Sequence, residues 1–203
     1  YFLCRRATKG SDADALKRYG IPGEWYNWGR YDLRFDIDKE PNEPNRFGWV
    51  VEIDPFDPQA QPIKRTAFGR FSRECAALSL GDDGRMAFYS GDDAKGEYLY
   101  KFVPSGRHDA ANPKASRDLL DHGTLYVAKL NADGSGQWLA LVHGQNGLSA
   151  EHGFPSQAEV LVNARAAADP LAMIEAARTL RTVQRELFKP GMATPATLFA
   201  EAR

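Results

Sequence analysis

Between Gly48 and Val142 the chain repeats one texture: short runs rich in β-branched and aromatic residues, each closed by glycine, proline or aspartate. The runs are Trp49 to Ile53, Thr66 to Phe71, Ala76 to Leu80, Met86 to Tyr89, Tyr98 to Val103, Leu125 to Leu130 and Trp138 to Val142. Alternating apolar residues bounded by turn formers are the signature of strands. The joints Gly81-Asp82-Asp83-Gly84, Gly91-Asp92-Asp93 and Asp133-Gly134-Ser135-Gly136 supply the positive φ that tight hairpins need, so neighbouring strands are expected to be antiparallel. No helical pattern of about ten or more residues separates the runs, which argues against a parallel βαβ sheet and leaves a meander, sandwich, barrel or propeller.

Two runs share one shape, an aromatic start, an alternating middle and a proline stop: Trp49-Val50-Val51-Glu52-Ile53-Asp54-Pro55 and Tyr98-Leu99-Tyr100-Lys101-Phe102-Val103-Pro104. Their separation is about one propeller blade, because such blades repeat at roughly 40 to 50 residues. Leu125 to Leu130 repeats the shape sooner and less faithfully, so two to three blades are expected. Residues 1 to 47 read as a long ordered loop, with aromatics at Trp25, Tyr26, Trp28, Tyr31 and Phe35 before the acidic run Asp36 to Arg46. The opening Tyr1-Phe2-Leu3 carries no cap or turn signal and reads as an interior start. After Ala164 the texture changes, and Ile174, Ala177, Leu180, Val183 and Leu187 at helical spacing predict a helix from Leu171 to Phe188, ended by Lys189-Pro190-Gly191. The expected class is therefore all-β, with long loops and a C-terminal helix.

Charge narrows the partners. Lys and Arg number 26 against 27 Asp and Glu, so no net field holds the chain on nucleic acid or an anionic membrane. No run reaches the roughly 18 apolar residues of a spanning helix, and no basic, apolar, small-residue signal segment opens the chain. Cys4 and Cys75 are too few for a disulfide scaffold.

Acidic residues gather in the loops and at strand ends: Glu40, Glu43, Asp54, Asp57, Glu74, Asp92, Asp93 and Glu97. Oxygen donors without a thiolate or imidazole cluster suit hard cations, and His108, His122, His143 and His152 stand at no zinc spacing. Turns use aspartate for backbone reasons alone, an explanation that fits Glu43 and Glu74 least well. Glu43 is stiffened between Pro41 and Pro44, and Glu74 leads into an apolar run, where a carboxylate needs an arginine or a metal. Tyr89-Ser90-Gly91-Asp92-Asp93 resembles the acidic turn of polymerases but lacks their further carboxylate and basic channel. Asn131 to Gly136 opens like a calcium loop, yet Val142 stands where a bidentate glutamate would be required. Neither a Gly-x-Ser-x-Gly elbow nor a phosphate-cradling Gly-Lys-Ser/Thr loop occurs, so any hydrolysis is expected to depend on metal.

The stretch Lys39-Glu40-Pro41-Asn42-Glu43-Pro44-Asn45-Arg46-Phe47-Gly48-Trp49-Val50-Val51-Glu52-Ile53-Asp54-Pro55 resembles the central signature of the PhoX-type bacterial alkaline phosphatases. Gly69-Arg70-Phe71 before Glu74, Tyr89 to Asp93, Glu97 to Phe102 and Gly123 to Ala128 follow in the same order, and the likeness covers roughly Arg18 to Asp169. The resemblance implies a six-bladed propeller whose iron and calcium ions hydrolyse phosphate monoesters, in the periplasm or outside the cell. It makes Glu74 a metal ligand, offers Glu43, Asp92, Asp93 and Glu40 as further ligands, and makes Arg70 the phosphate contact; it assigns no catalytic side chain. There are departures from the family pattern. Arg73 stands where the family usually has histidine, and Cys4 does not lie in the family's cysteine–glutamate context. Pro170 to Arg203 reads as a helix unlike the family's continuation. The expectation is thus a broken-off piece: 1–169 a partial propeller of the phosphatase type, 170–203 a divergent helical tail, with an incomplete active site. Self-association through exposed sheet edges is expected of such a piece. Two other functions share these features, a calcium-dependent propeller hydrolase of lactonase type and a non-catalytic binding module stabilised by calcium.

Overall fold

The computed structural model describes residues 13–21, 28–131 and 133–172. Six of the seven expected runs become strands. They are β1 (Val50–Glu52), β3 (Arg73–Leu80), β4 (Met86–Asp92), β5 (Leu99–Pro104), β6 (Gly123–Leu130) and β7 (Gly136–Ala140). The remaining strand, β2 (Ile63–Arg65), pairs antiparallel with β1, with Val50 opposite Arg65. Strands β3 to β7 form one antiparallel meander in chain order. The aspartate–glycine joints close its first and last hairpins: Gly84 turns at φ 79° and Gly81 N–H donates to Arg85 C=O at 2.8 Å, while Gly134 turns at φ 84° between β6 and β7.

The seventh run, Thr66 to Phe71, is not a strand. Thr66–Phe68 forms a 3-10 turn, because Gly69 at φ 73° reverses the chain there. A Cβ at Gly69 would stand 2.5 Å from the Leu125 Cδ2 and 3.3 Å from the Ala164 Cβ, so only glycine lets this turn sit between sheet and helix. Phe68 and Phe71, on either side, are both buried.

One face of the meander carries the core. Phe88 lies opposite Phe102, Phe102 opposite Leu125 and Val127 opposite Leu139, which places these side chains on one side of the sheet. That side is covered by α2 (Gln157–Val162) and α3 (Ala164–Ala172), whose Val160, Ala164, Ala167 and Ala168 are buried in the same cluster. Alanine on α3 lets the helix approach β6 closely, and each large apolar side chain buried there contributes about 1.5–3 kcal/mol. Helix α1 (Ala13–Arg18) packs against α3.

The expected all-β propeller is therefore incorrect. The fold is mixed α/β, with two small open sheets of two and five strands beside helices. Strand β3 is an edge strand, exposed from Glu74 through Leu80. Sequence texture misled here because α1 and α2 are six residues each and α3 nine, too short to display a helical period. Most of the helix expected from Leu171 to Phe188 lies outside the described residues, as do Cys4, Trp25 and Tyr26. Among the described residues no helix is long and apolar enough to cross a membrane.

Candidate functional site

A pocket of about 380 Å³ opens where the loop before β1 meets the turn before β3. The loop contributes Glu43, Pro44, Phe47, Gly48 and Trp49; the turn contributes Arg70 to Glu74; Tyr19, Ile21 and Phe35 close the remainder.

The prolines shape the loop side. Pro44 occupies the first turn of the 3-10 segment Glu43–Arg46, where its missing N–H costs nothing. This turn buries Glu43 to 3 % exposure, so its charge requires partners. Arg34 bonds one carboxylate oxygen, and Arg46 Nη1 lies 3.0 Å from the other, outside hydrogen-bond geometry. Trp49 is oriented by its indole N–H, which donates to Asn45 C=O at 2.8 Å.

The turn side presents two guanidiniums. Arg70, 3 % exposed, donates from Nε to Val162 C=O at 2.9 Å and from Nη1 to Pro44 C=O at 3.4 Å, and it stacks on Tyr19 at 4.0 Å. Arg73 donates to Ser90 Oγ at 2.7 Å and to the carbonyls of Phe68 and Gly69 at 2.8 Å each, and it stacks on Phe71 at 3.8 Å. Its Nε is buried without a hydrogen-bond partner. Neither arginine has a carboxylate partner among the ion pairs of the described residues. Burial, with Arg165 nearby, pushes Arg70 below the usual arginine range, and burial pushes Arg73 down to about 10.

The expected site residues divide. Glu43, Glu74 and Arg70 line this one pocket. Glu74 is exposed at the start of β3, and its side chain has no ion-pair partner among the described residues. Asp92 is not in the pocket wall. It lies across the ladder from Arg73, but both its oxygens accept from Arg165 at 2.6 Å in a pair whose side chains are 0 % and 5 % exposed. Asp93 is exposed, its N–H donating to Ser72 C=O at 2.8 Å, and Glu40 lies on the exposed turn before Glu43. Among the described residues no group of three or more His, Cys, Asp or Glu side chains comes together for a metal. A calcium ion takes about six to eight oxygen ligands. One free carboxylate and one already held by two arginines do not fit an iron–calcium cluster by themselves.

Arg73 and Tyr19 escaped the expected set. The Tyr19 ring is sandwiched, with Arg70 at 4.0 Å and Arg165 at 4.9 Å, and its hydroxyl donates to Arg70 C=O at 2.7 Å. Asp92 thus fixes Arg165, Arg165 braces Tyr19, and Tyr19 braces Arg70. Two arginines three positions apart in Gly69 to Glu74 were the legible signal for Arg73.

Two guanidiniums without a carboxylate ion-pair partner among the described residues, one buried and one half-buried, beside an exposed carboxylate, define a pocket suited to a compact oxyanion. The chain belongs to the family described as alkaline phosphatase PhoX, whose profile matches residues 2–185. That match runs well past Arg18 and Asp169, which removes the basis for reading the chain as a broken-off piece whose likeness stops there. Pseudomonas fluorescens PhoX, solved in complex with vanadate, a transition state analogue, is 53% identical, with a TM-score of 0.77. The alignment covers 84% of this chain and 31% of that one, so the chain spans under a third of that relative's length. No curated protein matches the chain.

Proposed function

We propose that this chain serves a metal-dependent phosphomonoesterase and that its pocket receives the phosphoryl group. The observation that carries the reading is the pair Arg70, buried, and Arg73, half-buried, which both line the pocket and have no carboxylate ion-pair partner among the described residues. A phosphate dianion would supply the direct ion-pair partner that neither guanidinium has among the described residues. The complex of the Pseudomonas fluorescens relative with vanadate supports the same ligand chemistry.

Within the pocket the chain's own groups bind and orient. Arg70 is held flat against Tyr19, and Arg73 is tethered at three acceptors, so little side-chain entropy is lost when an anion arrives. Ser72 lines the wall, but no histidine does, so a serine–histidine pair is not assembled there. Calcium and iron follow from family membership. Glu74 is the carboxylate best placed to offer them an oxygen, Glu43 less so, and the other ligands would come from outside the described residues. A periplasmic or extracellular location rests on the same family resemblance.

The test is hydrolysis of a phosphate monoester by the full-length protein. Activity should fall by more than about tenfold on chelation and return with calcium. Turnover indifferent to chelator, or none on any phosphate monoester, would overturn the reading.

A further inference from the structure

Given the phosphate reading of this pocket, on which the inference rests, we infer that the pocket selects monoesters whose leaving group is aromatic or otherwise apolar. A phosphate occupies the space of a few waters, each roughly 30 Å³. The pocket is about 380 Å³, within the range of small-molecule sites, so most of it is left for the alcohol that phosphate esterifies.

The walls around that remaining space are apolar and rigid. Phe35, Phe47 and Trp49 are the half-buried aromatics of the pocket lining, with Arg34 over the Phe35 and Phe47 rings at 5.6 and 5.8 Å. Phe71, buried between Tyr100 at 4.1 Å and the Arg73 guanidinium at 3.8 Å, stiffens the wall without offering a free face, and Phe35 is held edge-on by Trp28 at 5.2 Å. Two of the polar groups on these walls already have partners within the protein. The Trp49 N–H is committed to Asn45 C=O and the Tyr19 hydroxyl to Arg70 C=O. A hydroxyl-rich leaving group would therefore find few polar partners on these walls besides Ser72, whereas an aromatic ring would find apolar surface on Phe47 and Trp49. The charged end differs: Arg70, Arg73 and Glu74 supply the polar chemistry there, and Glu43 is already neutralised by Arg34 and Arg46.

Phosphonates separate this inference from the one beneath it, because they bind without being hydrolysed. Titration calorimetry of the full-length protein should find phenylphosphonate binding at least about tenfold more tightly than methylphosphonate, from the area of ring buried. Trp49→Ala and Phe47→Ala should narrow that ratio to about threefold or less, mainly through weaker phenylphosphonate binding. The wild-type ratio decides the matter even if a variant fails to fold. Equal affinity for the two phosphonates would overturn the apolar selection and leave the phosphate site intact. Binding of neither would overturn the phosphate site and this inference with it.

Discussion

Arg73 is anchored by Ser90, Phe68 and Gly69, none of which carries a charge. Burial is the main cause of its lowered pKa of about 10, because desolvation penalises the charged form and the Asp92 carboxylate across the ladder offsets only part of that. The sign follows directly. A guanidinium whose folded pKa lies below its ordinary value is charged at neutral pH and loses that charge as pH rises through about 10. Phosphate, free or as a monoester, is mainly dianionic from about pH 8 upward, so over the range used its own titration does not interfere. Phosphate affinity, followed by calorimetry from pH 8 to 11, should hold steady and then weaken beyond about pH 10. A flat profile would show that Arg73 carries none of the binding. Residues of this pocket were partly legible in the sequence. Arg70 and Glu74 stood in a recognisable motif, but Arg73 read only as a departure from it. The pairing of Asp92 with Arg165 was not legible for a physical reason: the partner lies 73 residues away in sequence, and spacing cannot reveal a pairing made only by folding.

At the scale of elements, that pairing clasps α3 to the end of β4. Arg165 bonds both Asp92 oxygens, and Arg18 at the end of α1 joins by bonding Glu97 at 2.5 Å and Asp169 at 2.9 Å. Three elements far apart in sequence are thereby fixed behind Tyr19 and Arg70. Removing one charge from a buried pair leaves the other uncompensated, which costs about 3–5 kcal/mol. Asp92→Asn should therefore lower the unfolding free energy by an amount in that range, read from a shifted urea midpoint, whereas a metal-ligand role would make stability depend on calcium instead. The strands were legible because alternation and aspartate–glycine joints are local signals. The helices were not, since six-residue segments such as α1 and α2 gain their stability from packing rather than from their own pattern. The turn Thr66–Phe68 was misread as strand because its buried aromatics look the same in either geometry until Gly69 reverses the chain.

Across the whole molecule, one meander backed by two helices presents a single pocket edge at which loop 43–49 and turn 70–74 meet. Family membership was legible in the Lys39 to Pro55 stretch, whose prolines prove to shape one wall of that pocket. The overall architecture was not, because a meander of short strands is common to many β folds, and its closure or openness depends on what covers its faces. The central claim is that Arg70 and Arg73 form the receptor for a phosphoryl group. It is tested most directly by titrating inorganic phosphate into full-length wild-type protein and into Arg73→Met, with thermal midpoints recorded for both. The account predicts at least about tenfold weaker binding in the variant, equivalent to about 1.4 kcal/mol, with the midpoint little changed. Equal affinity in the two proteins would contradict it.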